Sequence, residues 1–184
     1  SAIRPREMMS QAWCKSKLMH RAPNMIRMIK RAPRISFWVA HAVLSEETPE
    51  ARARVCEKFV RIAVKLKEYR NYNSFGGIVA GLSASPVSRL AKTFGCMDSG
   101  ARDKLKEFES FVDPSGSFQK YRKALNHSQN LAIPMMCAVE KDLIFSEDGN
   151  DTMTVDGRIN FSKCAIVCQT INQIRIFQNI PRSF

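Results

Sequence analysis

The sequence is poor in the residues that build small-molecule chemistry. It has three histidines at unrelated spacings and six cysteines, none in a CxxC pair, which argues against a zinc site. It also lacks a Ser/His/Asp signature, a glycine-rich phosphate loop and a metal-binding box. Bond-making enzyme chemistry, a cofactor and a metal are therefore not expected, and His20, His41 and His127 read as surface or boundary residues. No apolar run approaches the roughly 18 residues of a membrane span. No basic-apolar-small leader opens the chain, so a cytoplasmic location is expected, with the six thiols buried in helices of a reducing compartment. Acid is scarce, with 17 Asp and Glu against 29 Lys and Arg, a formal charge of +12. No RGG run, zinc knuckle or aromatic-basic RNP pattern accompanies that surplus, so a nucleic-acid partner is not expected. The remaining readings of the charge are a solvated face, an anionic lipid surface or an acidic protein.

The 184 residues suffice for one domain with a real core, and 45% apolar against 25% charged residues is ordinary for a globular chain. The punctuation is helical. Pro5 suits a first turn, with Met8, Met9, Ala12 and Trp13 on one face. "APNMIRMI" predicts a short helix with Met25, Ile26 and Ile29 inward. "ISFWVAHAVL" is almost uniformly apolar and reads as a buried helix. Thr48 caps a long helix, with Pro49 first and Glu50 at the positive end of the dipole. Its stripe is Val55, Cys56, Phe59, Ile62, Ala63, Leu66 and Tyr69. "NSFGGIVAGL" holds Gly76, Gly77 and Gly81, each costing a helix about 1 kcal/mol. It is either a strand or a helix against which something packs closely. Ser85-Pro86 starts a helix through Val87, Leu90 and Phe94. Leu105, Phe108, Phe111 and Val112 mark another, stopped by "DPSG", and Phe118, Tyr121 and Leu125 the next. Asn160 caps a last helix to about Gln178, with a stripe of Phe161, Cys164, Ala165, Cys168, Ile171, Ile174 and Phe177. No repeat or linker interrupts this all-α pattern.

The scarce acid is gathered in one place: residues 140–157 hold six acids and one Lys, whereas residues 1–34 hold nine Lys or Arg and one acid. A short helix near 137–145 and the last helix flank a loop rich in Gly, Asp, Asn and Thr, in which an ordered core is not expected. That is an αα-hairpin. Ile144 and Asp148 are four apart, so a helix reaching that far projects both from one side of its tip. The residues leave two readings open, an ordinary acidic loop and a tip made for insertion into a partner.

Four segments in order resemble the catalytic domain of Ras-type guanine-nucleotide exchange factors, the Son-of-sevenless and Epac class. They are "PNMIRMIKRAPRISFWVA", "NYNSFGGIVAGLSASPVSRLAKTF", "FVDPSGSFQKYRKAL" and "IPMMCAVEKDLIFSEDGND…VDGRINFSK", in a match running from about Ile3 to Phe177. The resemblance implies a single all-helical, bowl-like domain over 1–184 with a projecting helical hairpin at about 137–178. It implies a protein that expels nucleotide from a Ras- or Rap-like small GTPase without bond chemistry. The hairpin wedges against switch I and the nucleotide-free partner is preferred. "VDGRINFSK" leans towards the Rap-directed branch. Ile144 falls at the apolar wedge over the Mg²⁺ site, and Asp148 at a carboxylate directed at the phosphate region. The implied GTPase-binding residues are Lys30, Asn73, Phe75, Gly76, Ser83, Ser85, Ser88, Phe118, Lys141, Leu143, Gly149 and Asn150. Such a protein is recruited to the membranes where its GTPase resides.

The departures from the family pattern are Gly76-Gly77 for a large apolar residue and Ala, and Ala32-Pro33 for Phe-Asn. Others are Ser83 for Asn, Asp148 for Glu, and Met135-Met136 for an aromatic pair. The family's first helix is missing before Ile3, and the chain opens at Ser1 rather than Met, as an N-terminally shortened fragment would. These departures motivate the alternative of a catalytically weak scaffold that binds a GTPase or adaptor without exchange.

Overall fold

The computed structural model describes residues 2–128 and 131–179, so the ends of the 1–184 span lie outside the described residues. The all-α expectation is met: there is no strand among the described residues, only isolated bridges at Asn71–Ile133 and Met153–Ile159. The chain divides into two compact units, one formed by residues up to 30 with those from 134, the other by residues 31–133.

The first unit opens with 3-10 turns at Pro5–Met8 and Met19–Arg21, then α1 (Pro23–Ile29). Met8, Ala12 and Trp13 point inward as expected, but Met9 is exposed, because the 3-10 turn ends at Met8 and the backbone at Met9 is already extended. The α1 N-cap position is Ala22, which offers no capping oxygen. The cap is tertiary instead. Glu7 accepts hydrogen bonds from Asn24 N (2.7 Å), Met25 N (3.0 Å) and Asn24 Nδ2 (2.8 Å), and from Arg4 N on its own turn (3.2 Å). A buried carboxylate needs such partners. Met8, Trp13 and Met25 share a core with Met136, Leu143, Ile171 and Ile174 of the hairpin helices.

The second unit holds α2 (Arg31–Leu44), α3 (Pro49–Glu68), α4 (Tyr72–Leu82), α5 (Ser85–Ser88), α6 (Ala91–Cys96), α7 (Ser99–Phe111) and α8 (Gln119–Asn126). Thr48 Oγ1 accepts from Ala51 N as the expected α3 cap, and Asn71 and Asp98 cap α4 and α7 in the same way. The buried α3 face is Ala53, Cys56, Phe59, Val60 and Ala63, while Tyr69 is exposed just past the helix. The helix expected from Ser85 to Phe94 is broken at Arg89–Leu90 into α5 and α6. Tyr72, Phe75, Phe108, Phe111 and Tyr121 form an aromatic core with edge-on contacts, such as Phe75–Phe108 at 5.0 Å.

Of the two readings of the glycine-rich segment, the helix holds. A Cβ on Gly77 would stand 2.9 Å from the Ala32 carbonyl and 3.0 Å from Ile35 Cβ. One on Gly81 would stand 2.7 Å from both the Ser36 carbonyl and Val39 Cβ. The glycines of α4 let α2 lie almost backbone to backbone against it. One correction concerns α2, which is not buried all round. Only Val39 and Val43 are buried, while Phe37, Trp38 and Leu44 face outward. A helix covered along one side leaves its other side exposed, however apolar the sequence.

The cysteines need a second correction. All six are free, but only Cys56 is buried, where desolvation pushes its thiol up to about 11. The other five are exposed.

Candidate functional site

The hairpin belongs to the first unit. It consists of α9 (Met136–Asp148) and α10 (Phe161–Asn179), with Met135 and Met136 buried at its base. The first hairpin helix extends three residues beyond the expected 145, because Ser146, Glu147 and Asp148 continue the helical path before Gly149 ends it. A Cβ on Gly149 would meet the Phe145 carbonyl at 2.7 Å, so a side chain there would crowd the last turn of α9. Ile144 and Asp148 do lie on one exposed side, as four-residue spacing on a helix requires.

Phe145, which the sequence reading passed over, is 64% exposed beside them, with Lys141 Nζ 5.7 Å from its ring centroid. The tip thus presents two apolar groups, a cation and a carboxylate together. Leu143 is buried in the hairpin core and supports this face from beneath. Gly149 is exposed, and Asn150 is half-buried with Nδ2 donating to the Ser146 carbonyl.

Two residues that the sequence did not single out hold the tip. Lys163 is 7% exposed, and its Nζ donates to the Glu147 carbonyl (3.0 Å) and Thr152 Oγ1 (3.2 Å), with the Glu147 carboxylate at 3.7 Å. It ties the end of α9 to the loop and to the first turn of α10. Gln11 Nε2 donates to Asp148 Oδ1 at 2.7 Å. Ser10 and Gln11 both have a φ of 54°, a left-handed pair of non-glycine residues that turns the N-terminal segment towards the tip. Neither contact leaves a local sequence signal, since the partners are 11 or more residues apart.

As expected, no residue of the loop between the helices is buried, and hydrogen bonds tie its backbone. Thr154 N donates to the Arg158 carbonyl (2.7 Å) and Asn160 N to the Thr152 carbonyl (3.0 Å), with Gly157 at φ +76° making the turn. Asn160 Oδ1 accepts from Lys163 N as the expected cap of α10.

The stripe expected on α10 holds only in its second half. Ile171, Ile174 and Phe177 are buried, whereas Phe161, Cys164, Ala165 and Cys168 are exposed. Near the tip the inward position is taken by Lys163, whose hydrogen bonds to the loop replace an apolar contact.

The remaining residues implied by the resemblance lie elsewhere. Lys30 is exposed at the end of α1 in the first unit. In the second unit Gly76 is half-exposed on α4, Ser83 is half-buried at its C-cap, and Ser85 and Ser88 are exposed on α5. Ser83 Oγ donates to Glu109 Oε1 at 2.6 Å. Val79, Ala80 and Ser83 line one side of a shallow groove of about 530 Å³ whose other side is formed by Glu109, Val112 and Pro114. Asn73 is buried, and its N–H donates to the Ile133 carbonyl. Phe75 and Phe118 belong to the aromatic core, Phe118 at a left-handed φ of 60° before α8. Gly77, by contrast, faces α2.

The family model of the RasGEF domain matches residues 1–165. The chain is 35% identical over 175 residues to Ras guanine nucleotide exchange factor R of Dictyostelium discoideum, covering 95% of this chain and 10% of that protein. It is 33% identical over 180 residues to factor P of the same organism (97% and 12%) and 34% identical over 185 residues to factor A (97% and 30%). The chain thus spans between a tenth and three tenths of these relatives.

Proposed function

The chain belongs to the RasGEF domain family, and from that premise we propose that it speeds nucleotide release from a Ras- or Rap-like small GTPase. The observation that carries this reading is the tip of α9, where Ile144, Phe145 and Asp148 stand exposed on one side of a helix end clamped by Lys163. An apolar side chain over a Mg²⁺ site offers the ion no oxygen ligand. A carboxylate near the phosphate subsite competes with an anionic nucleotide for the same cation. Asp148 supplies that carboxylate and Ile144 the apolar group, so the hairpin opens switch I and the metal and nucleotide leave.

Two side chains cannot offset a nucleotide held at picomolar Kd, which contributes on the order of 16 kcal/mol. The domain therefore holds the empty GTPase over a surface of about 2,000 Å² or more. Lys30, Gly76, Ser83, Ser85, Ser88, Lys141, Gly149 and Asn150 contribute to it at the surface. Asn73, Phe75, Phe118 and Leu143 shape it from beneath. Coupling is reciprocal, so added nucleotide expels the exchange factor. "VDGRINFSK" favours a Rap-like partner, and the protein works at the membranes where that GTPase resides.

Release of fluorescent GDP from a panel of Ras, Rap and Ral proteins tests the reading. Acceleration of at least one is expected, slowed by Ile144→Ala or Asp148→Ala with the helical signal intact. No acceleration of any at micromolar domain would overturn it.

A second reading, a weak scaffold that binds without exchange, is favoured by one observation. Asp148 is one methylene shorter than Glu and is already engaged by Gln11. That reading predicts binding indifferent to nucleotide state, and a pull-down preferring nucleotide-free GTPase would exclude it.

A further inference from the structure

α2 and α3 carry a face that nucleotide exchange leaves unused. Across Arg31–Leu44 there is no acidic residue. Arg34, Phe37, His41 and Leu44 recur at steps of three and four, so they share the outward side of α2. On that side Phe37 is 77% and Leu44 45% exposed. On α3, Arg54, Lys58, Arg61 and Lys65 recur in the same way and are all exposed. At about 1.5 Å per residue they form a cationic stripe roughly 16 Å long. Lys65 is paired with Glu68, whereas Arg54, Lys58 and Arg61 form no ion pair among the described residues.

Trp38 joins the two helices. Its ring stands edge-on to Phe59 of α3, with centroids 5.1 Å apart, yet 56% of the residue remains exposed. Glu46 and Glu47, in the turn between the helices, close the patch at one end. Single exposed apolar residues are ordinary, but a Phe, a Trp and a Leu grouped beside a run of cations point to a surface that something covers.

We propose that this face docks on an anionic lipid bilayer. Phe37, Trp38 and Leu44 enter the boundary between headgroups and acyl chains, where amphipathic rings settle. Lys58 and Arg61 meet the anionic headgroups. Charge complementarity selects this occupant. A second copy docked symmetrically would set cationic stripe against cationic stripe. A nucleic acid would satisfy the cations but leave Phe37 and Leu44 in water. A bilayer satisfies both, and it accepts a face made of two side-by-side helices without a shaped cleft. The proposal does not rest on the exchange reading.

The experiment uses the chain with vesicles of phosphatidylcholine alone or mixed with phosphatidylserine. Sedimentation with the mixed vesicles and not with phosphatidylcholine is expected, weakening as salt screens the contact. Trp13 is buried, so a blue shift of tryptophan emission on binding reports Trp38. Lys58→Gln with Arg61→Gln lowers binding on the order of 25-fold, from about 1 kcal/mol for each charge at the surface. Phe37→Ser with Leu44→Ser reduces the binding that persists when salt is raised. None of these residues was placed in the GTPase contact, so GDP release from a soluble GTPase should be equal in all variants. A vesicle result and an exchange result can therefore fail separately. No binding to phosphatidylserine vesicles at low salt would overturn the proposal, as would binding that neither double variant changes. Tighter binding to duplex DNA without a blue shift, or a dimer that these variants disperse, would replace it.

Discussion

Replacing Gly81 with alanine tests how closely α2 and α4 meet. The new Cβ would stand 2.7 Å from Val39 Cβ and 2.7 Å from the Ser36 carbonyl oxygen. Non-bonded carbons rest at about 3.5–4.0 Å, so α2 must retreat by about 1 Å. The obstructing atoms are backbone and a β-carbon, which cannot swing aside as the end of a flexible chain could. Overpacking of this kind costs about 1–3 kcal/mol, and retreat also loosens Val39 and Val43, the two buried anchors of α2. Against this, alanine gains about 1 kcal/mol of helix propensity over glycine. The clash and the loosened anchors outweigh it, for a net loss of up to about 2 kcal/mol. Gly95 provides the opposite case. It lies in α6, and a Cβ there would meet nothing within 4 Å, so Gly95→Ala keeps a gain of up to about 1 kcal/mol. Urea denaturation followed by far-ultraviolet circular dichroism should move the two midpoints in opposite directions at unchanged slope. If Gly81→Ala proves as stable as Gly95→Ala, the close crossing of these helices is wrong.

Three further outcomes are expected. Glu7→Gln should cost about 2–3 kcal/mol at neutral pH, because an amide NH₂ then faces backbone donors that the carboxylate accepted. Burial pushes the Glu7 carboxyl up, but hydrogen bonds from the Asn24 side chain and from the N–H groups of Met25, Arg4 and Asn24 together hold it below 4.5. Its stabilisation is thus complete above 4.5 and fades as pH falls through the folded value, and the variant should show a flatter acid limb in the same denaturation assay. The hydrogen bond from Lys104, then that from Lys67, holds Glu107 down to about 2. Because the group is half exposed, the gain is about 1 kcal/mol, lost between pH 4.5 and 2; a carboxyl NMR titration centred on 4.5 would contradict the pairing. Lys163→Met should cost about 2 kcal/mol and speed amide hydrogen exchange at Gly149 and Asn160, while exchange in α7 stays unchanged. Equal protection at the tip would show that Lys163 does not clamp it.

What could be read from the sequence was what local geometry decides. Thr48 and Pro49 mark the start of α3 because capping needs only the next three residues. Ile144 and Asp148 share a face because four residues make about one helical turn. The errors arose where a distant partner decides. The run from Ile35 to Leu44 reads as buried, but its burial depends on what covers each side, and α4, with Phe59 of α3 beside it, leaves the outer side uncovered. The α10 stripe fails at Lys163, where a hydrogen-bonded cation takes the inward position that an apolar residue would fill. The glycines of α4 were ambiguous until Ala32 and Ser36 were known to lie against them. Glu7 and Gln11 act through groups that the chain brings together only on folding.

The tertiary cap on α1 also sets how the domain can be cut. At seven residues, α1 is well below the roughly 12–15 that hold a helix in isolation. Its first turn is closed by a carboxylate 15 residues upstream of the Ala22 cap position. A fragment beginning after Glu7 would keep every residue of α1 and still lose the helix, and with it the support that Met25 gives the hairpin core. The boundary of a working fragment therefore lies before Ile3, which is buried in the same core and hydrogen-bonded to Gln178, and Arg4 N–H completes the set of donors around Glu7.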